Sequence, residues 1–470
     1  MKKAKENKIL RLLFVAAVLS LSLSVLFSCT ESPELSKNEI LENVDEIYQN
    51  DTKDYAYVYR YLTDYGITNF NLQKFLWVER VFQTYFNLEG GLPSTSYHAK
   101  ITATSYLEGY YDKIDKNDKS AVTEALISCY VNAVGDPYSI YRSASEQDVY
   151  NEDMSGKFGG IGVVIEYDHE NESIMVSSVY LDSPAEIAGI QAGDYIHAVN
   201  GKTVSEIGYL DVVYHVRGEI GTSVNLTLKR GDSFIDVVAV RAEVEEKTVS
   251  YEIKNDDVGY IQIVGFKANT YEQFVKAIDY FEESDVKGLV FDLRGNPGGY
   301  VETVKNMISY LIPSGHPIIS YQYKGTPLQV LNSEDDVHPT KKDPENPTSP
   351  LIEDHKVTLP MVVICDEYTA SAGELFTAAL RDYNKDGILK AWVVGQTTFG
   401  KGIMQSAIAY SDKSSITLTV AYYNPPSGKN YHKTGITPNV TISNEILNGE
   451  FIDKQLEAAL EVIYSLINAN

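Results

Sequence analysis

The sequence predicts an α/β core with a mixed sheet and helices, preceded by an α+β domain and by an N-terminal helical domain. Three observations predict this arrangement. Apolar residues recur at helical spacing through residues 38–140, short β-branched runs separated by turn residues fill residues 145–245, and strands alternate with helices through residues 249–470. A chain of 470 residues also exceeds what one ordinary core accommodates, so several domains are expected.

Residues 1–28 have the pattern of a secretory signal peptide. A basic stretch, "MKKAKENKILR", precedes a largely apolar run from Leu12 to Phe27, which is shorter than the ~20 residues that a spanning helix needs. A short transmembrane anchor is the alternative. Cys29 directly follows Leu-Phe-Ser, which resembles the lipobox of bacterial lipoproteins. The resemblance implies cleavage before Cys29, lipidation of its thiol and a lipid-anchored location in a bacterial cell envelope, in either leaflet. Residues 29–37 then form a polar tether.

Charge and cysteine content exclude several classes of partner. The net charge of −25 argues against nucleic acid and against anionic lipid head groups, so a membrane link would come from the N-terminal lipid. Beyond Cys29, Cys129 and Cys365 lack the spacing of a CxxC metal site or a disulfide scaffold. Each lies in an apolar run, so two buried thiols are expected. Neither a metal nor a cofactor is predicted.

The helical pattern of residues 38–140 is clearest at its two ends. "KNEILENVDEIYQ" places Ile40, Val44 and Ile47 on one helix face, and "DKSAVTEALISCYVNAV" repeats this spacing. This domain is a candidate dimerisation element, so a homo-oligomer stays open.

Turn residues define the α+β domain of residues 145–245. "PAEIAG" predicts a short helix, Asn200-Gly201 predicts a hairpin turn, and "SVNLTLKRGDSFIDVVAV" predicts a strand pair.

Residues 249–470 alternate strands and helices. "DVGYIQIVGF", "VKGLVFDL", "LPMVVICD" and "KAWVVG" predict strands, whereas "NTYEQFVKAIDYFEES", "YVETVKNMISYLI" and "SAGELFTAALRDY" predict helices. A proline-rich, charged segment indicates a surface insertion around residues 322–356. Two glycine-rich loops and Ser371 follow strands, and ligands bind α/β sheets at the carboxyl ends of strands. These three elements are therefore expected to converge.

Ser371 opens the stretch "SAGELFTAAL", which has two interpretations. Ser followed three residues later by Glu374 is a helix capping box, and a serine among small residues at a helix start is also a candidate nucleophile. The Gly-x-Ser-x-Gly and Ser-x-x-Lys templates both fail here. Lys401, in "TTFGKGIMQ", and His432 remain as candidate bases. Burial lowers the pKa of a lysine, so its neutral amine can accept a proton. From spacing alone, a solvated loop lysine is the favoured interpretation of Lys401. Gln405 lies four residues after Lys401 and could orient it without adding charge.

A resemblance favours the lysine. The segments "DPYSIYRS", "FGGIGVVI", "SPAEIAGIQAGDYIHAVNGK", "VRGEIGT", "VFDLRGNPGG", "TASAGE", "TTFGKGIMQ" and "GKNYHKTGITPNV" occur in this order over residues 118–440. Together they resemble the C-terminal processing peptidases (tail-specific proteases). The resemblance implies a PDZ domain inserted before the catalytic core and a Ser/Lys dyad. By position, Ser371 is the nucleophile, Lys401 the general base and Gln405 the residue that positions the lysine.

The same resemblance implies further site residues. The oxyanion hole would fall on the backbone N–H groups of Ala372, Gly298 and Gly299, which suits a helix start and a glycine loop. Supporting positions have a structural brace as their alternative role: Arg294, Asn296, Glu374, Asp382 and Thr398.

The PDZ domain implies how a substrate is chosen. Backbone N–H groups of Gly160, Ile161 and Gly162 would hold a free C-terminal carboxylate, while the tail adds a strand beside them. Arg217 matches an arginine that links PDZ occupancy to the active site in the family, and its alternative is an exposed turn arginine.

The sequence departs from the family at three places. Gly373 stands where serine is common, "NKDGILKA" lengthens the segment between Ser371 and Lys401, and "TPNV" replaces Thr-Pro-Asp. The expected function is a serine endopeptidase that acts on apolar C-terminal tails. A PDZ adaptor that binds peptides on a degenerate peptidase core, and a peptidase with His432 as its base, are the alternatives.

Overall fold

A computed structural model describes residues 61–168, 173–333, 336–342, 350–353, 357–447 and 450–469. The signal peptide, Cys29, the tether and the first predicted helix lie outside these ranges. Among the described residues, no helix has both the length and the apolarity needed to cross a bilayer. The chain divides into two compact units, described separately below.

The first unit combines the N-terminal helices with residues 323–326 and 404–421. Its helices and strands are α1 (Leu72–Tyr85), α2 (Thr95–Gly109), α3 (Lys119–Ala133), β1 (Ile140–Arg142), most of β19 (Ile403–Ala409) and most of β20 (Ser415–Asn424). Asn71 caps α1 by accepting from the Lys74 amide, and Asp118 caps α3. Aromatic side chains fill the space between α1 and α3, since the Tyr130 ring packs edge-on against Phe82 and a second phenylalanine. The predicted helical character of this part of the chain is therefore confirmed.

The strand segment of residues 404–421 joins these helices, which the sequence pattern did not indicate. β1 pairs antiparallel with β20, so that Tyr141 faces Ile416. The Asp136 carboxylate accepts hydrogen bonds from Ser139 Oγ and Thr419 Oγ1, both at 2.7 Å. The pairings of β1 with β20 and of Asp136 with Thr419 join residues far apart in the sequence, and periodicity within one segment carries no information about them.

Glu79 is a buried carboxyl in α1. Its side chain is 2% exposed, and its Oε2 has no hydrogen-bond partner within the described ranges. Burial raises the pKa of this carboxyl well above its ordinary value, because ionisation there would leave a charge without solvent. The folded state therefore keeps the proton while an unfolded chain loses it above pH ~4.5.

Replacing Glu79 by methionine should stabilise the first unit, by about 1–3 kcal/mol at pH 8, because it removes a buried polar group that lacks a partner. Stability that depends on a raised carboxyl pKa is fully present below the unfolded pKa and is lost as pH rises through the folded pKa. The gain should therefore be small at pH 4.5 and larger at pH 8 in urea unfolding. Glu108→Met, an exposed change on α2, is the control, and an equal gain at both pH values would contradict the prediction.

The second unit contains the α+β domain and the α/β core. The α+β elements are α4 (Ala144–Ser155), which begins in the first unit, β2 (Lys157–Gly160), β3 (Val163–Asp168), β4 (Ser173–Val179), α5 (Pro184–Ile187), β5 (Tyr195–Val199), β6 (Lys202–Thr203), α6 (Val204–Ile207), α7 (Tyr209–Val216), β7 (Ser223–Arg230), β8 (Ser233–Val240) and β9 (Ala242–Glu245). The sheet order is β3-β4-β5-β7-β8, with β3 at one edge. The predicted short helix is α5, and Asn200-Gly201 forms the predicted turn with positive φ at both residues.

The α/β core is a mixed sheet covered on both faces, as predicted. Its elements are β10 (Val249–Lys254), β11 (Val258–Ile263), α8 (Thr270–Glu283), β12 (Gly288–Asp292), α9 (Val301–Leu311), β13 (Pro317–Tyr323), β14 (Gln329–Asn332), β15 (Asp336–Lys342), β16 (Pro350–Glu353), β17 (Met361–Cys365), α10 (Ala372–Lys385), β18 (Ala391–Gly395), β21 (Val440–Thr441), β22 (Glu445–Leu447), β23 (Glu450–Ile452) and α11 (Lys454–Asn468). The sheet order is β10-β11-β12-β17-β18-β21, and only β10 runs antiparallel to its neighbour.

Alternate residues of the central strands pack on opposite faces. Val290 of β12 lies in the cluster that includes Ile463 of α11. The next residue, Phe291, packs against Phe274 of α8 and Phe376 of α10. Because both faces are covered, every residue of β12 and β17 is buried, and β17 and residues 289–291 of β12 are continuously apolar.

The predicted surface insertion contains short strand pairs rather than loops alone, β13 with β14 and β15 with β16. Cys129 and Cys365 are both free and buried, which confirms that prediction. Burial raises the pKa of the Cys129 thiol to about 12.

Candidate active site

Four loops follow the carboxyl ends of β11, β12, β17 and β18, which are neighbours in the parallel part of the sheet. Backbone hydrogen bonds tie these loops together. The Phe266 amide donates to Gly298 O at 2.9 Å, and the Ala370 amide donates to Asn296 O at 2.9 Å. The Phe399 amide donates to the Thr369 carbonyl at 3.0 Å. The predicted convergence of the glycine loops with the serine loop is therefore confirmed.

Ser371 has a backbone conformation that is rare for any residue except glycine. Its φ is 54° and its ψ is −117°, at the N-cap of α10. Such a conformation costs of order 1–3 kcal/mol and persists where surrounding contacts impose it, commonly at active sites. A serine on a sharp, strained strand-to-helix turn is also how nucleophile elbows expose a hydroxyl. The conformation therefore favours the nucleophile over a simple cap.

The helix cap itself is supplied by Glu374. Its carboxylate accepts the Ser371 amide at 2.9 Å, which is the glutamate half of the predicted capping box. Within the described ranges, the Ser371 hydroxyl makes no capping hydrogen bond to its own helix. This turn thus caps the helix through the main-chain amide of Ser371 and leaves the Ser371 hydroxyl outside the cap.

The Glu374 carboxylate also joins the serine loop to the lysine loop. Its Oε2 accepts the amides of Ser371 at 2.9 Å and Lys401 at 2.7 Å. Its Oε1 accepts Thr398 Oγ1 at 2.6 Å and the Gly400 amide at 2.7 Å. The residue is fully buried. Ser371 and Lys401 are therefore held by a single carboxylate oxygen, although thirty positions separate them in the sequence.

Two opposing effects act on the protonation of Glu374. Burial raises its pKa above the usual value, while the donors from Thr398, Lys401, Gly400 and Ser371 lower it, and burial has the larger effect. The carboxyl also lies in the first turn of α10, where the helix dipole favours negative charge. Thr398 extends the hydrogen-bond network of Glu374, since its hydroxyl also accepts the Ile436 amide at 2.7 Å.

The glycines of the predicted oxyanion loop allow very close approach. A Cβ on Gly298, whose φ is 102°, would lie 2.8 Å from Ser371 Cβ and 2.9 Å from the Ala372 nitrogen. A Cβ on Gly299 would lie 2.2 Å from the Phe266 carbonyl oxygen. Any side chain at either position would thus displace the serine loop or its neighbour.

The Gly298 amide, one of the predicted oxyanion donors, has a partner within its own loop. It donates to Asn296 Oδ1 at 2.8 Å, so in this structure it is engaged within its own loop. A two-residue asparagine turn of this kind takes up an amide that would otherwise point outward. Gly299 and Ala372 stay as the predicted donors.

The supporting residues act as braces among the described residues. Asn296 Nδ2 donates to the Ile263 carbonyl at 2.8 Å, which ties the glycine loop to β11. Arg294 Nη1 donates to Asp453 Oδ1 at 2.6 Å, and its Nε donates to Asp292 Oδ1 at 2.9 Å. A last group of contacts holds the end of α10, where Asp382 Oδ2 accepts the Ser427 amide at 3.2 Å.

Gln405 and His432 have contacts of their own. Gln405 belongs to the first unit, where its Nε2 donates to Thr419 Oγ1 at 3.3 Å. The His432 ring packs edge-on against Tyr422, with ring centroids 5.6 Å apart. Within the described ranges, no group of three or more His, Cys, Asp or Glu side chains is arranged to hold a metal ion.

Sequence reasoning missed Tyr423 and Tyr431. The Tyr423 hydroxyl donates to the Lys401 carbonyl at 3.1 Å, and Tyr431 donates to Tyr423 at 2.8 Å. In the sequence, the two residues are tyrosines before and after the turn in "YYNPPSGKNY". This pattern indicates packing rather than a functional site.

The predicted tail-binding loop precedes the edge strand β3. Two of its carbonyl groups are hydrogen-bonded to other segments. Ile161 O accepts the Ala185 amide at 2.8 Å, and Gly162 O accepts the Tyr180 amide at 2.9 Å. The Arg217 guanidinium lies over the Phe158 ring, 3.9 Å from its centroid. Arg217 is thus attached to the strand that leads into the loop.

Comparisons with known proteins agree with this geometry. A profile of peptidase family S41 matches residues 257–442, and a PDZ domain profile matches residues 175–230. The carboxy-terminal processing protease CtpA of Bacillus subtilis (strain 168) is 35% identical over 330 residues, which cover 70% of this chain and 66% of that protein. A CtpA-like serine protease of Staphylococcus haemolyticus (strain JCSC1435) is 34% identical over 333 residues, which cover 71% of this chain and 62% of that protein. The chain thus spans slightly less than two thirds of each relative.

Among solved structures, an S41 protease from Bacteroides fragilis aligns with a TM-score of 0.49 at 18% identity, covering 83% of this chain and 97% of that one. The profile matches and the curated relatives show the family. The chain belongs to peptidase family S41, a family of serine-type peptidases, and carries a PDZ domain ahead of its peptidase core.

Proposed function

We propose that this protein is an endopeptidase that recognises free, apolar C-terminal tails of proteins through its PDZ domain and cleaves peptide bonds with a Ser371/Lys401 dyad. One observation supports the dyad most directly. A single oxygen of buried Glu374 accepts the amides of both residues, at 2.9 and 2.7 Å. The strained φ of Ser371 is a second support.

In the proposed reaction, the Ser371 Oγ bonds to the scissile carbonyl carbon while its proton passes to a neutral Lys401 Nζ. The carbonyl oxygen becomes an oxyanion, and the amides of Ala372 and Gly299 donate to it. The C–N bond then breaks, and the leaving amine takes the proton from Lys401. Water, deprotonated by Lys401, cleaves the resulting ester, and Ser371 recovers its proton from the lysine. Gln405, four positions further along the chain, is proposed to orient Lys401.

Tail recognition is supported by the edge position of β3. Because β3 pairs only with β4 in the strand order of this sheet, a substrate tail can add as a further strand. The loop of Gly160, Ile161 and Gly162 leads directly into β3, where the amides would meet the terminal carboxylate. The same surface would serve a non-catalytic adaptor, which is the second candidate, but the Glu374 link between the dyad residues favours catalysis.

We place this activity at a bacterial cell envelope, with the chain cleaved before Cys29 and anchored through lipid on that cysteine. The proposal rests on the signal-like residues 1–28. It leaves the membrane leaflet and homo-oligomer formation open.

Amidation of the substrate terminus tests tail recognition. An unstructured peptide that ends in apolar residues and a free carboxylate should be cleaved at a kcat/KM about tenfold or more above that of its C-terminal amide, because the amide lacks the charge that accepts N–H donors strongly. Product masses and initial rates measure this. Equal rates for both peptides would contradict tail recognition but not the proposed dyad. Tight binding of the free-acid peptide without any product would support the adaptor.

A further inference from the structure

Tyr423 and Tyr431 form a buried hydroxyl pair beside the dyad. Tyr423 is 1% exposed at the end of β20, and Tyr431 is 4% exposed in the following loop. The Tyr431 hydroxyl donates to that of Tyr423 at 2.8 Å, and the two rings pack edge-on, 5.8 Å apart. A buried hydroxyl costs free energy unless it is bonded, and both of these hydroxyls find partners in the serine and lysine loops.

The hydrogen-bond inventory fixes the direction of this network. A phenol has one proton and two acceptor positions. Tyr423 gives its proton to the Lys401 carbonyl at 3.1 Å and accepts the proton of Tyr431. Tyr423 thereby links Tyr431 to the main chain of Lys401. Tyr431 also lies 3.4 Å from the Ser371 carbonyl oxygen, a weaker contact than its bond to Tyr423.

These contacts complement those of Glu374. The carboxylate accepts the N–H groups of Ser371 and Lys401. On the other side of the main chain, Tyr423 donates to the Lys401 carbonyl, and the Tyr431 hydroxyl lies 3.4 Å from the Ser371 carbonyl. We infer that Tyr423 and Tyr431 are positioning residues for the proposed Ser/Lys dyad. Tyr423 fixes the main chain of Lys401, and Tyr431 supports Tyr423 and lies against the carbonyl of Ser371. The inference rests on the proposed function.

The tyrosines position the dyad and do not exchange protons with it. Burial raises the pKa of both phenols far above their ordinary value, so both stay neutral wherever the protein is folded. Their contacts are with the dyad residues and with each other. Their removal should therefore change kcat and leave KM largely unaltered.

Phenylalanine substitutions in the full chain test the inference. Tyr423→Phe should lower kcat about tenfold with KM within about twofold, since one positioning hydrogen bond is lost near the reacting atoms. The rate at which a small fluorophosphonate labels Ser371 should fall by the same factor, because that reaction does not depend on peptide binding. Tyr431→Phe should have a smaller effect. The double variant should be no slower than Tyr423→Phe, because Tyr431 acts through Tyr423.

Tyr383→Phe is the matched control. Tyr383 is equally buried, near the far end of α10, and donates its hydroxyl to the Pro317 carbonyl. This variant should lose stability without any change in kcat or labelling rate. If Tyr423→Phe matches Tyr383→Phe in both rates while Ser371→Ala is inactive, the tyrosine inference fails and the proposed function stands. Turnover that survives in Ser371→Ala would overturn both.

Discussion

Ser371→Ala should abolish peptide hydrolysis, and Lys401→Met should lower kcat about 10³–10⁴-fold, as the loss of one member of a catalytic dyad does elsewhere. Alanine removes the only oxygen that could form the acyl-enzyme. Methionine keeps the length of the lysine side chain but cannot accept the serine proton. The backbone of both positions should stay in place, because Glu374 binds their amides rather than their side chains. Peptide turnover, fluorophosphonate labelling and thermal unfolding together measure these effects.

Three further variants separate the dyad from its alternatives. Lys401→Arg should be as inactive as Lys401→Met, because guanidinium stays charged and cannot act as a base. Lys429→Met, at an exposed lysine of the following loop, should keep wild-type turnover. His432→Ala should also stay active, since its ring packs on Tyr422. If His432→Ala were inactive and Lys401→Met were active, the base would be His432 rather than Lys401.

The strand-and-helix framework could be predicted because each element is encoded locally. The turn at Asn200-Gly201 needs positive φ at two residues, which those residue types adopt readily, and the serine-capped α5 follows from its own sequence. Continuous apolar runs identified the strands that are buried on both faces. The convergence of the loops then followed from the common edge of parallel strands.

The parts that escaped prediction depend on contacts between distant positions. Nothing near Tyr423 indicates that its hydroxyl meets the Lys401 carbonyl, twenty-two positions earlier. The engagement of the Gly298 amide by Asn296 is local, but hydrophobic periodicity carries no information about it. Residues 404–421 join the first unit through pairings with β1 and Asp136, which no pattern within that segment records.

The two interpretations of Ser371 also describe different atoms. Of the two capping-box contacts, the one formed here joins the main-chain amide of Ser371 to the carboxylate of Glu374, whereas nucleophilic attack needs the serine hydroxyl. Because the carboxylate closes the box, the cap and the catalyst can coexist in one residue. The same carboxylate also accepts the Lys401 amide, so a residue with the sequence signature of a helix cap links the two residues of the proposed dyad.

Glu374→Gln should lower kcat at least about 10²-fold and destabilise the second unit by about 1–3 kcal/mol. The carboxylate accepts four donors, and three of them are main-chain N–H groups that cannot turn away. A glutamine amide has one oxygen and one NH₂ group. If its oxygen faces Ser371 and Lys401, its NH₂ meets the Gly400 amide, and the opposite orientation places the NH₂ against Ser371 and Lys401. Either way a buried N–H loses its acceptor, and the loop that carries one dyad residue must shift.

The matched control is Glu302→Gln, which changes an acid in the first turn of α9, where the helix dipole is comparable but the side chain is 66% exposed. It should leave kcat unchanged and alter the unfolding free energy by only a few tenths of a kcal/mol. The activity loss in Glu374→Gln should appear equally in peptide turnover and in the labelling rate of Ser371, because it arises from the geometry of the dyad. Wild-type turnover in a folded Glu374→Gln variant would show that the shared carboxylate braces the fold and does not position the dyad. A loss of stability alone would then be its whole effect, as it would be for any buried helix cap.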